Sequence, residues 1–585
     1  MEISAVSAEL ERAADHDLCV LASAKTIEQW RGHASDHASA LDRLCQKAAC
    51  VFVYGFALGM SEIASGLSNG AIKDVRRLTR PDLCYKVSSS QPEITKEFSG
   101  LSFGPVNNAT DFGFVCPAGF GGVVPLATLE DMPFWTFVQQ GRCTTFLLAC
   151  SAIADIQEQV NAVDAAAYFS RLLPAAMFIR WAFKDRCWHG RNRFANFIMD
   201  DPPLKPSYGY LNYRDLVSKM DAYNFATTIA FIPWNHWRTD KRVATLFRER
   251  PDRLSLCVHG CDHTGSEFSS TDLALLNSKV RLASARMDNL DWQNGLTYSK
   301  TMVFPQGRFS TEALTALKAN NYLGAVNSSP LPHADNGSLT VADFMAPAIT
   351  QQGGFPVFLR RYPGRLEQFA FDLFFGRPVL VVEHHAYLKD GGTRLAEFIA
   401  RLNSLEKLQW NSLHEIMTRT YLEREISDQI TACRLYTNRT IIENHTARDR
   451  TFIVSKLETG AAPVQNVLID RRPAAFSVGA DGLELTMQIP AFSSMPVEIE
   501  YSNLLPHAEP EQGFASRSRV WMRRMLSELR DNVLSRSDTL LAGAVALHRG
   551  LSRSNAAPPQ QNHASTVAVT VNGDDGHRHS RMHRR

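Results

Sequence analysis

Two histidines four residues apart, His259 and His263, lie in the stretch Cys257-Val258-His259-Gly260-Cys261-Asp262-His263-Thr264, at the end of the apolar run Leu254–Val258. If one helical turn follows that run, both imidazoles fall on the same side. A strand before the turn would then hold them at the lip of a sheet, where two neutral nitrogens can ligate one metal ion. The spacing alone fits two unrelated loop histidines as well. Upstream, the apolar run Phe194–Met199 ends in Asp200-Asp201-Pro202-Pro203, with prolines that stop any regular element. Successive strand residues point to opposite sides. The two acids therefore suit divided roles, one on a metal and the other beside it as a base. A helix N-cap or turn is the other reading of Asp-Asp-Pro.

Elements able to position these residues recur between 186 and 425. Leu216–Tyr223 has helical spacing and Ala226–Ile232 is a β-rich run. Thr311–Ala319 reads as a helix, Tyr322–Val326 as a short strand, Val379–Val382 as a strand and Leu395–Leu405 as a helix. Repeated β-then-α units predict a parallel barrel with its site at the carboxyl ends of the strands. Residues 1–185 read as an α/β sandwich domain, with strands at 50–56 and 144–149 and helical spacing over Ile153–Phe169. Residues 430–502 alternate as in an antiparallel β-sandwich, clearest over Leu483–Met487. Residues 503–552 form an amphipathic helical segment, in which Trp521, Met525, Leu529 and Val533 recur every four positions with arginines between them. Docking on its own protein is the favoured reading of that segment; peripheral contact with an anionic membrane is the other. Residues 553–585 are polar and read as a disordered tail.

The order of the motifs adds a resemblance. A strand ending in Asp200-Asp201 precedes a strand ending in His259-x-x-x-His263, then Phe304-Pro305-Gln306-Gly307-Arg308-Phe309, then a strand ending in His384-His385. Over roughly residues 190–420 this resembles the polysaccharide deacetylase family, metal-dependent sugar N- and O-deacetylases, in a divergent HGxxH branch. The resemblance implies a distorted (β/α)7 barrel. It implies that Asp201, His259 and His263 hold a divalent metal, zinc being the first guess, and that Asp200 is the general base. One of His384 and His385 would be the acid; His384 is favoured because the family places an apolar residue two positions earlier, here Val382. The third motif departs from the family pattern. The arginine that orients the base is missing from its slot, and Gln306 stands for an aromatic residue. Arg308 is assigned the catalytic role on the expectation that it reaches back, a surface position being the alternative. Trp234 and Trp237, after a strand, are assigned with Gln306 to the substrate, as platforms for sugar rings or else as side chains buried under a loop. The N-terminal domain looks similar to glutamine-amidotransferase-like domains. Its nearest candidate nucleophile, Cys116, is followed by Pro117, which argues against a nucleophile elbow, so the domain reads as non-catalytic.

The implied substrate is an acetylated carbohydrate. A glycosidase using Asp200 with Asp262 or Glu383, and a non-catalytic sugar-binding or scaffold protein of polysaccharide assembly, remain as alternatives. With 585 residues the chain calls for about three domains. At 45% hydrophobic and 21% charged it has a soluble globular composition, and a net charge of +2 gives no basis for nucleic-acid binding. No apolar run spans a bilayer, and Met1–Asp17 is too acidic for a signal peptide. Eleven cysteines without a CxxC pair predict reduced thiols and a cytoplasmic setting. Nothing in the sequence sets the oligomeric state.

Overall fold

Strands buried on both faces need near-continuous apolar sequence, and such runs supply most of the seven strands of a parallel barrel. They are β1 (Phe194–Asp200), β2 (Thr227–Phe231), β3 (Leu254–His259), β4 (Ser299–Val303), β5 (Gly324–Asn327), β6 (Val357–Leu359) and β7 (Val379–Glu383). The computed structural model describes residue 14 and residues 18–534, except 33–36, 79, 81, 118–121, 161–163, 334–337, 460–462, 507 and 509–512. The expectations for Met1–Asp17 (residue 14 apart), for the 535–552 part of the helical segment and for the 553–585 tail lie outside the described residues.

The strand order is β6-β5-β4-β3-β2-β1-β7, with every pairing parallel. The ring closes just beyond β6, where the Arg361 backbone donates to Leu380 and accepts from Val382 on β7. A two-residue strand, Gln409–Trp410, adds to the other end of β1. Helices connect the strands, and their starts are written in the sequence. Asn212, Asp240, Asp272 and Ser310 each accept a hydrogen bond from a first-turn N–H, satisfying donors that the helix leaves open.

The N-terminal region differs from a uniformly alternating α/β domain. Its seven-stranded sheet is parallel only across Leu18–Ser23, Ala48–Tyr54 and Cys143–Leu148. It continues antiparallel through Met132–Gln140, Val124–Leu129, Tyr85–Val87 and Ser102–Phe103. The helical spacing over Ile153–Phe169 misplaces the helix, which runs Ala165–Phe183. Asp164 sets its start by accepting from the Ala166 N–H, a local cap that outweighs the apolar period ahead of it.

The C-terminal β region is a sandwich of a five-stranded and a four-stranded sheet between Tyr421 and Tyr501. Along Gly482–Ile489 the side chains alternate, with Leu483, Leu485, Met487 and Ile489 buried and Glu484, Thr486 and Gln488 exposed. One parallel pair, Ile430–Leu435 with Arg450–Lys456, interrupts the antiparallel pattern. The chain packs as one unit through Glu528 and as a second from Leu529 onward. No helix among the described residues is long and apolar enough to cross a membrane.

A buried charge cluster ties the sandwich to the barrel. Glu458 lies 2.7 Å from Lys318 of the helix after β4 and 2.6 Å from Lys456, and it accepts from Tyr501 Oη. Burial alone would raise the Glu458 carboxyl, but the two ammonium groups outweigh it and hold the carboxyl below its ordinary range. Removing one member of such a cluster leaves an unpaired buried charge, so Glu458→Gln should cost about 3–5 kcal/mol at neutral pH. A carboxyl with a depressed folded pKa stabilises fully above its unfolded value, and the contribution is lost as pH falls below it. Chemical denaturation should therefore show the gap between wild type and Glu458→Gln narrowing below about pH 4.3.

Candidate metal and acid–base site

The carboxyl ends of β1, β3, β6 and β7 bring the chemical residues together. Asp200 ends β1 and is 4% exposed. Asp201 follows with φ +82, a left-handed conformation that L-residues rarely adopt. The reversal turns it off the strand path, so two consecutive acids serve one site without sharing one role. Asp201 Oδ1 lies 3.3 Å from Nε2 of His259 and 3.2 Å from Nε2 of His263.

The histidine pair is not held by a helical turn. After His259, Gly260 and His263 both take positive φ. The loop is fixed by the buried Glu267 carboxylate, which accepts from the backbone N–H groups of Cys261, Asp262 and His263. A Cβ on Gly260 would lie 2.3 Å from Glu267 Oε1 and 2.4 Å from Pro305 Cγ, so only glycine fits there. His259 Nδ1 pairs with the Val303 carbonyl at 2.9 Å. That contact places the ring proton on Nδ1 and leaves Nε2 as a lone pair aimed at Asp201.

The donor set suits a divalent ion. Two imidazole nitrogens and a carboxylate oxygen lie within 4.8 Å of one another, and among the described residues they form the one such group of three. Asp201 Oδ1 is buried without a hydrogen-bond partner, a costly state for a carboxylate oxygen that a cation would relieve. Cys257 and Cys261 are not in the group; both are buried in the apolar packing.

Asp200 is engaged differently. Both of its oxygens accept from Arg360, at 2.7 Å each, and Arg360 is itself 5% exposed. Burial would raise the Asp200 carboxyl, but Arg360 and His259 outweigh it and hold it below its ordinary value. At Asp201 burial is likewise outweighed whenever the facing imidazoles carry charge, which holds its carboxyl below the ordinary range. Arg360 takes the place assigned from sequence to Arg308. Arg308 is exposed and donates to Ser266 Oγ at 3.4 Å, because the loop after β4 carries it outward.

The remaining sequence assignments fall as follows. His384 is exposed just beyond β7 and close enough to act electrostatically on both Asp200 and Asp201. His385 is buried and packs edge-on to Tyr208, with ring centroids 5.2 Å apart. Asp262 pairs with Arg286 at 2.7 Å, so it is committed away from Asp200 as a second catalytic acid. Trp234 carries Arg286 over its ring, and its backbone N–H donates to the Cys261 carbonyl, which puts it beside the histidine loop. Trp237 is exposed, and Gln306 is exposed with φ +58. Arg360 and Glu267 were not singled out from sequence. The strand-end pair Arg360-Arg361 was the available signal for one. Glu267, a glutamate in a polar loop, gave none.

No family model matches the chain, and no curated protein matches it by sequence. Solved structures similar to it include Agd3, a carbohydrate deacetylase, at 10% identity and TM-score 0.39, covering 82% of this chain and 98% of that one. They also include a family 4 carbohydrate esterase from Streptomyces lividans in complex with acetate, at 13% identity and TM-score 0.24, covering 38% and 93%. A family 4 pseudoenzyme from Bacillus anthracis is similar at 8% identity and TM-score 0.25, covering 39% and 66%. Likeness at this level leaves the chemistry to be read from the side chains.

Arg360 provides a test of the buried pair. Arg360→Met leaves Asp200 without its partner and should cost about 3–5 kcal/mol. Adding Asp200→Asn removes the stranded charge, so the double variant should recover a large part of that loss in equilibrium denaturation. Equal and additive losses would mean that the two groups are not coupled.

Proposed function

We propose that the protein is a metal-dependent hydrolase that removes acetyl groups from a carbohydrate. The observation that carries this reading is the pairing of two unlike acids at one barrel mouth. Asp201 converges with His259 and His263, while Asp200 is held separately by Arg360.

A divalent ion held by Asp201, His259 and His263 supplies Lewis acidity when bound, and zinc suits this nitrogen and oxygen set. Asp200 takes the proton from the attacking water. Each carboxylate oxygen has two lone pairs, so both can accept from Arg360 and still leave one free toward the site. Arg360 keeps Asp200 ionised and fixes the plane of its carboxylate. His384, exposed at the rim, gives its proton to the departing amine or alcohol of the sugar. Trp234, beside the histidine loop, offers an apolar ring face to the sugar. The eleven cysteines, scattered without a CxxC pair, support a reducing compartment.

A glycosidase needs a second carboxyl: Asp262 is committed to Arg286, which leaves Glu383 at the end of β7, its carboxyl raised by burial. Inhibition by a chelator, reversed by added metal, would set the deacetylase apart from a metal-free glycosidase.

Asp200→Asn should keep the metal and abolish acetate release from acetylated saccharides, since an amide takes no proton from water. His384→Ala should keep the metal and slow release by roughly 10²–10⁴-fold. His385→Ala should affect stability more than rate, because its ring packs under Tyr208. Acetate release undiminished in Asp200→Asn, or a larger rate loss in His385→Ala than in His384→Ala, would overturn these assignments.

A further inference from the structure

The helix Phe514–Asn532 meets the barrel with the unexpected face. An amphipathic helix ordinarily buries its apolar stripe. Here the polar side turns inward. Arg524 is 7% exposed, and its guanidinium donates to the His263 carbonyl at 3.3 Å. Glu528 pairs with Lys205 at 2.7 Å and with Arg238 at 2.5 Å. The apolar residues of the same helix face away: Trp521 is 51% exposed, Met522 58% and Leu526 59%. Phe514 and Met525 are exposed with them.

The charged contacts fix which way this stripe points, since rotating the helix to bury it would break both Glu528 pairs and bring Arg524 out. The stripe is bordered on one side by Arg519 and Arg523. Arginines beside an apolar face holding Trp and Phe are the composition of helices that lie in the head-group region of a bilayer. Tryptophan favours that boundary, and arginine is drawn to anionic lipid. A second copy of this chain fits less well, because an antiparallel two-fold pairing of the stripes would bring the bordering arginines of both copies together.

We propose that the outward face of the C-terminal helix is a docking surface for an anionic lipid membrane, with the polar face holding the helix to the barrel. The proposal does not depend on the chemistry assigned to the barrel mouth.

The test is co-sedimentation of the full-length protein with phosphatidylcholine vesicles, with and without phosphatidylserine, alongside sedimentation velocity without lipid. Wild type should bind the phosphatidylserine vesicles, and added salt should weaken the binding. Met522→Glu/Leu526→Glu should bind at least about tenfold more weakly, given the apolar area lost, with an unchanged thermal midpoint as the control for folding. Arg519→Ala/Arg523→Ala should lose the preference for phosphatidylserine while leaving the apolar stripe intact. Absence of binding by wild type, equal binding by the glutamate variant, or a wild-type dimer that Met522→Glu/Leu526→Glu dissociates would overturn the proposal, the last in favour of a self-association surface.

Discussion

A carboxylate and a guanidinium, both almost wholly removed from water, meet at two points where the barrel closes. Burying either charge alone is prohibitive, so Asp200 and Arg360 each require the other. The contact spans β7, since Asp200 ends β1 and Arg360 follows β6, and these strands flank it. The next residue continues the closure: the Arg361 backbone pairs with β7, while its side chain reaches Asp372 at 2.6 Å. Two consecutive arginines on opposite faces thus do complementary jobs. One turns inward to fix an acid, and the other turns outward to hold the end of β6 to the helix Leu366–Phe374 that leads into β7. The position of the proposed base is therefore as rigid as the barrel seam itself.

The site's two halves are separated electrostatically as well as in space. Asp200 faces a permanent cation, whereas Asp201 faces two imidazoles that can present lone pairs. The left-handed backbone at Asp201 makes this division possible, because an extended residue would direct the second acid to the far side of the strand. Glu267 performs the matching task in the loop after β3, gathering three backbone N–H groups so that His263 returns toward His259. Neither device contributes a ligand, yet each fixes where a ligand points.

Much of this was legible in the sequence. Apolar runs ended by acids or histidines located β1, β3 and β7, and helical spacing located the helix Thr311–Ala319 and, within two residues at its start, the helix Thr393–Leu405. The order of the motifs pointed to a parallel barrel with its site at the strand ends, and the structure has that barrel. What could not be read depended on contacts distant in sequence. Arg360 lies 160 positions from Asp200, and no local pattern links them, so Arg308 was chosen for its nearness to Pro305. The loop after β4 instead directs Arg308 to solvent. The same limit applied to the C-terminal helix: its period gave an amphipathic element, but only its ion pairs decide that the charged face is the buried one.

The central claim is that Asp201, His259 and His263 form one metal site from which Asp200 stands apart. Cobalt(II) titration of the metal-free, full-length protein, followed by visible absorption, tests it most directly. The account predicts saturation at a single equivalent, with a spectrum of nitrogen and oxygen ligation. That spectrum should disappear in Asp201→Ala, His259→Ala and His263→Ala and persist in Asp200→Asn. A thiolate charge-transfer band, or a spectrum that survives His263→Ala but is lost in Asp200→Asn, would contradict it.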